Sequence, residues 1–203
     1  MELEHLKAQI TKSTTQTEDR CHPSPNEKFV AQEIQIPDSE FFKVVCHTKK
    51  STESVYMMVY RKLYNSSKFN HTFEEYTRGF GNVGVMQKEE FFIGLEKLHL
   101  LTERNPHELW IFMYPSGHLK EIRCENFVLG SQSEGYMVKT LNGCTEDSSI
   151  LSQGIKFSTF NRYEDENPLQ NKATKLGLGW WFDSRVKRST LNDAIVLKIL
   201  RKN

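Results

Sequence analysis

FSTFNRYEDENPLQNKATKLGLGWWFDSRVKRSTLN, residues 157–192, is the stretch on which the reading of this chain turns. An acidic loop runs from Asn161 to Glu166, with Glu164 and Asp165 inside it. A Gly177-Leu178-Gly179 turn follows, then two adjacent tryptophans, Trp180 and Trp181. Loops that gather carboxylate and amide oxygens suit a hard cation such as calcium. Two large aromatics directly after a glycine turn suggest a core anchor beside a surface pocket.

Outside that stretch the composition is ordinary. A chain of 203 residues suffices for one sizeable core, or one domain with a short extension. The 27 basic and 26 acidic residues nearly cancel, so no global field favours nucleic acid or an anionic membrane surface. Arg185, Lys187 and Arg188 form a small basic cluster, read as a solvated loop, and no nucleic acid is expected as a partner. No apolar run reaches the length of a membrane span. The opening MELEHLKAQITKS is polar and mixed in charge, and does not read as a signal peptide. No GxSxG, HExxH, P-loop or dinucleotide fingerprint occurs, and the histidines are scattered, so no catalytic residue is assigned and no enzyme is expected. The cysteines Cys21, Cys46, Cys124 and Cys144 contain no CxxC pair, which argues against zinc. In an oxidising compartment they allow three pairings. Asn65-Ser66-Ser67 and Asn70-His71-Thr72 are acceptor tripeptides for glycosylation in a polar loop.

Periodicity gives a coarse map. Leu3, Leu6 and Ile10 form one helical stripe over residues 1–10, a candidate coiled-coil end through which copies of the chain would associate. Residues 11–28, with Pro23 and Pro25, read as a polar linker. Strands are predicted at 33–36, 41–46, 55–60, 108–114, 119–124, 127–130 and 135–141, and a half-buried one where Ile195, Leu197 and Ile199 alternate. Phe73 to Phe80 predicts a short helix ended by Gly79. Residues 90–102 predict an amphipathic helix burying Phe92, Leu95 and Leu98 or His99, with His99 a core residue that finds a hydrogen-bond partner. Asn142-Gly143 is a turn signal. Cys124 and Cys144 flank consecutive strand elements and could come within bridging distance.

Taken in order, FST, the acidic loop, GLGWW and LN resemble the fibrinogen-like (fibrinogen C-terminal) domain family, in particular its ficolin- and tachylectin-type lectins. EFFIGLEKLHLLT, Glu90 to Thr102, is similar to that family's EFWLGNEKLHLLT, and FEEYTRGFG, Phe73 to Gly81, to its WxxYxxGFG. The resemblance covers residues 29–203 and leaves 1–28 as helix and linker. It implies an α+β fold, a mixed or antiparallel sheet with short helices and a loop-rich C-terminal subdomain. It implies a non-catalytic, secreted recognition module that binds a glycan or an extracellular protein; working members are calcium-assisted lectins of innate immunity or structural subunits of larger secreted proteins. It also implies that Cys46, in a segment similar to the family's VYC, pairs with Cys21, while Cys124 and Cys144 fall where the family usually has no cysteine.

The departures fall in the site. Tyr163 stands where the family's second loop aspartate is usual, leaving Asn161 and Asp165 as the metal-ligand candidates and no cofactor expected. Lys172 and Arg185 replace the two cysteines of the family's second disulfide, and two cations cannot form a salt bridge in its place. The acetyl-group pocket would be met by Trp180, Trp181, Arg185 and Val186, without that constraint. After Leu191-Asn192 the chain passes directly into its final strand, shortening the C-terminal end. The expectation is therefore a retained scaffold with degenerate calcium and acetyl-group sites.

Overall fold

The computed structural model describes residues 18–146, 150–163 and 171–202. The expected helix over residues 1–10, with its candidate coiled coil, lies outside them, as does Asp165.

Runs of β-branched and aromatic residues pair into antiparallel strands. β1 (Phe29–Ile34), β2 (Phe42–Lys49) and β3 (Ser54–Lys62) form a first meander. The chain then makes α1 (Phe73–Arg78), two-residue strands β4 (Phe80–Gly81) and β5 (Phe91–Phe92), and α2 (Leu95–Arg104). A second meander follows, β6 (His107–Met113), β7 (Lys120–Leu129) and β8 (Val138–Cys144). After the loop-rich region come α3 (Lys172–Leu176), α4 (Arg188–Asn192) and β9 (Ile195–Arg201). β9 inserts between β3 and β6, giving the order β1-β2-β3-β9-β6-β7-β8. β9 is therefore the central strand that joins the two meanders.

Alternation decides which side of the sheet is core. Leu109, Ile111 and Met113 face one way and register against Ile199, Leu197 and Ile195. All six are buried. The α2 stripe, Leu95, Leu98 and Leu101, is buried in the same core, and His99 Nδ1 lies 2.8 Å from the Leu129 carbonyl oxygen. Phe92 is buried too, but in β5: the helix starts only after Gly94, whose φ of 112° breaks the helical path.

Two readings of the sequence change. Residues 119–124 and 127–130 belong to one continuous strand, β7. Asn142-Gly143 is no turn; Asn142 pairs with Asn126 inside β8, their side chains 2.6 Å apart. A two-residue hairpin turn of the Asn-Gly type needs positive φ at both positions, and only Gly143 has it here.

Both disulfides are present. Cys124 and Cys144 are direct partners across β7 and β8. Cys21–Cys46 ties the polar segment to β2, and Asp19 adds bonds to Arg201 (2.5 Å) and Asn105 (3.2 Å). Among the described residues no helix is long and apolar enough to cross a membrane.

Candidate functional site

The residues singled out by sequence lie in the loops of 150–163 and 171–192. Three local devices build this region: the glycine-tryptophan segment, the turn before the acidic loop, and an aspartate that bonds both replaced cysteine positions, one through its backbone carbonyl and one through its carboxylate.

α3 starts on Asn171, whose Oδ1 accepts from the Thr174 N–H, and ends at Gly177 in the left-handed conformation, φ 66°. Gly179 then passes the Tyr76 ring so closely that a Cβ would lie 2.7 Å from it. Its N–H donates to the Tyr76 hydroxyl, which donates in turn to the Phe69 carbonyl. Trp180 and Trp181 follow, 0% and 1% exposed. Trp180 Nε1 donates to the Ile150 carbonyl at 2.6 Å and Trp181 Nε1 to the Tyr136 carbonyl at 2.8 Å. Buried indoles with both ring and N–H satisfied internally are packing elements. Of the two roles the sequence left open, core anchor and pocket wall, their burial matches the anchor: they hold the loops to the core.

Asn161 sits in a tight turn closed by Thr159 and Arg162, which bond each other through their backbones. Its Oδ1 accepts from the Phe73 N–H at 2.9 Å and from the Thr159 hydroxyl at 2.8 Å, while its Nδ2 donates to Glu74. Thr72 caps the same helix by accepting from the Glu75 N–H. The Asn161 oxygen thus serves the first turn of α1, where free N–H groups need acceptors. Among the described residues no three His, Cys, Asp or Glu side chains are grouped to hold a metal ion. Glu164, Asp165 and Glu166, the carboxylates of the acidic loop, lie outside the described residues. Arg162 lies over the Phe73 ring, 4.0 Å from its centre. Phe160 and Tyr163, on either side of this anchored pair, are 37% and 49% exposed.

Lys172 and Arg185 do not meet each other; both meet Asp183. Lys172 Nζ donates to the Asp183 carbonyl at 2.5 Å. The Asp183 carboxylate accepts from the backbone N–H groups of Arg185 (2.7 Å) and Val186 (3.1 Å), from Arg185 Nε (3.3 Å) and from the Ser152 hydroxyl. Burial alone would raise its pKa, but the hydrogen bonds from Ser152, Arg185 and Val186 outweigh it and hold the carboxyl below its usual range. Lys172 and Arg185 thus form no salt bridge with each other, as expected; each bonds a different part of Asp183, Lys172 its backbone carbonyl and Arg185 its carboxylate. Arg185 also donates to Ser152 and forms one wall of a cleft of about 260 Å³ with Leu141, Cys144 and Gln153. Val186 is buried, 7% exposed. Sequence reasoning passed over Asp183, although an aspartate two residues before a loop N–H is the signature of an Asx turn. Ser152, 31 residues away, carries no comparable signal.

Residues 24–196 match the family model for the C-terminal globular domain of fibrinogen beta and gamma chains. The human fibrinogen alpha chain is 29% identical over 179 residues, 81% of this chain and 20% of that one. Mouse angiopoietin-4 is 35% identical over 123 residues, 59% of this chain and 23% of that one. The chain thus spans about a fifth of the length of these curated relatives. Among solved structures, the fibrinogen-like globe domain of human ANGPTL6 superposes with a TM-score of 0.72 at 20% identity, covering 88% of this chain and 91% of that one. A lamprey fibrin D-dimer complexed with the peptide ligand Gly-His-Arg-Pro-amide gives 0.72 at 17% identity, covering 98% and 83%.

Proposed function

This chain belongs to the fibrinogen C-terminal domain family, and on that premise we propose that it is a non-enzymatic, extracellular recognition module that binds a protein partner without calcium. The observation that carries the reading is the anchored turn with Phe160 and Tyr163 exposed on it. Side chains held this way lose little conformational freedom on binding, and exposed aromatics on a fixed frame are what protein interfaces use as anchors. Tyr163 occupies the position where a carboxylate would serve a cation, so the substitution replaces a metal ligand with an interface side chain. The acetyl-group pocket is disfavoured because Trp180, Trp181 and Val186 are buried and Arg185 is engaged with Asp183 and Ser152. Two disulfides agree with an oxidising, extracellular setting. Asn65 and Asn70, both exposed, agree with glycosylation there.

The test presents the domain multivalently to an array of soluble extracellular proteins and to a glycan array, each in calcium and in EDTA. Saturable binding to a protein that survives EDTA is the expected result. Calcium-dependent binding to N-acetylated sugars, with no protein bound, overturns the reading.

A further inference from the structure

The side of the sheet opposite Leu109, Ile111 and Met113 carries a row of rings in strand register. Phe29 stands opposite His47, and His47 opposite Tyr56, with centroids 4.6 and 5.6 Å apart. Tyr56 meets Trp110 edge-on at 5.4 Å, and Trp110 lies 6.4 Å from Phe112 with the rings nearly parallel. Tyr56, Trp110 and Phe112 line a cleft of about 430 Å³, and Lys28, Lys49 and Lys50 stand around it. A fourth lysine, Lys198, is only 7% exposed; its Nζ is 3.2 Å from His47 Nδ1 and 4.4 Å from the Phe112 ring centre.

Among the described residues none of these four lysines has a carboxylate within ion-pair distance, and Glu121 is the one carboxylate lining the cleft. Ammonium groups held together on an apolar surface without a counter-charge are costly. The cost shows in the titration: burial, then Lys28, bring Lys198 down to about 8, and burial, then Lys198, Lys28 and Lys49, bring His47 down to about 4. His47 is therefore neutral, and with Nδ1 accepting from Lys198 its buried Nε2–H is a donor with no partner among the described residues. Stacking walls, clustered ammoniums and a spare imidazole donor are together complementary to a planar ring that carries an anion.

We propose that this cleft binds a tyrosine O-sulfate displayed on a partner peptide, with the aryl ring against Trp110 and Phe112 and the sulfate among Lys28, Lys49 and Lys50. The disulfides put the chain in a compartment where the aryl anion of a peptide is a sulfate ester rather than a phosphate. A long sulfated polysaccharide fits less well, because it needs an extended basic track, whereas the chain carries a net charge of only +1. This cleft shares no lining residue with the loops of 150–192, so its failure would leave the loop-face reading untouched.

The experiment titrates the folded chain with an acetylated Asp-Tyr-Asp amide, sulfated or unsulfated, and with inorganic sulfate and a heparin-derived hexasaccharide. Of the three tryptophans, Trp180 and Trp181 are sealed in the core, so quenching of fluorescence reports Trp110. The sulfated peptide should bind at least tenfold tighter than the unsulfated one and tighter than inorganic sulfate, with quenching. Lys28→Glu with Lys49→Glu, two exposed positions, should weaken it tenfold or more at an unchanged melting temperature. Equal binding of the two peptides, equal binding of inorganic sulfate, tighter binding of the hexasaccharide, or no binding would each overturn the proposal.

Discussion

Replacing Asp183 by alanine should loosen the C-terminal loops by an amount that can be worked out donor by donor. Asp183 accepts from two backbone N–H groups, the Ser152 hydroxyl and Arg185 Nε, and its side chain is 11% exposed. The Arg185 side chain is 48% exposed, so its ion pair adds at most about 1 kcal/mol. The exposed Arg185 N–H finds water once the carboxylate is gone. The Val186 N–H and the Ser152 hydroxyl are part-buried, and leaving such donors unpaired costs about 1–3 kcal/mol each. Asp183→Ala should therefore destabilise the chain by about 2–6 kcal/mol. Asp183→Asn keeps a neutral acceptor for the backbone and should lose about half as much. Urea unfolding with the native disulfides intact reads both values, with an unchanged slope as the sign of an unchanged unfolded state. A loss below about 0.5 kcal/mol for the alanine variant would refute the view that this carboxylate holds the Arg185–Val186 turn to Ser152.

Three further outcomes follow from the same geometry. Gly94→Ala places a Cβ 2.7 Å from the Arg78 carbonyl at φ 112° and should cost more than about 2 kcal/mol, whereas Gly154→Ala, at φ 86° with nothing within 4 Å, should cost only about 1 kcal/mol of backbone strain; thermal melts separate the two. Removing Cys21–Cys46 by paired serine substitution opens a loop whose ends are 25 residues apart and should lower stability by roughly 3 kcal/mol in denaturant titrations. His47 titrates near 4 in the folded chain against 6.5 when unfolded, so the unfolded chain binds more protons between those values; stability should fall as pH drops through that interval, and His47→Gln should flatten the profile.

The scaffold was legible because its signals are local and periodic. Strand alternation around Ile111 and Ile199, the glycine that ends α1, and the leucine stripe of α2 each follow from neighbours in sequence. The site was legible only in part, because its parts come from distant segments. Nothing beside Asn161 tells that its oxygen is taken by Phe73, 88 residues earlier, and nothing beside Ser152 points to Asp183. Asn142-Gly143 misled for a related reason: pairing of β7 with β8 holds Asn142 extended and overrides a strong local turn preference. The two tryptophans were ambiguous because a core post and a pocket wall call for the same residue, and only burial separates them.

The measurement that bears most directly on the account compares the intact chain with a Phe160→Ser, Tyr163→Ser double variant for binding to the array-identified protein, in EDTA. Loss of a central aromatic anchor costs about 2 kcal/mol, or about thirtyfold in Kd. The account predicts that the variant keeps its melting temperature and loses at least that factor. Undiminished affinity in the variant, or binding by the intact chain that vanishes in EDTA, would contradict it.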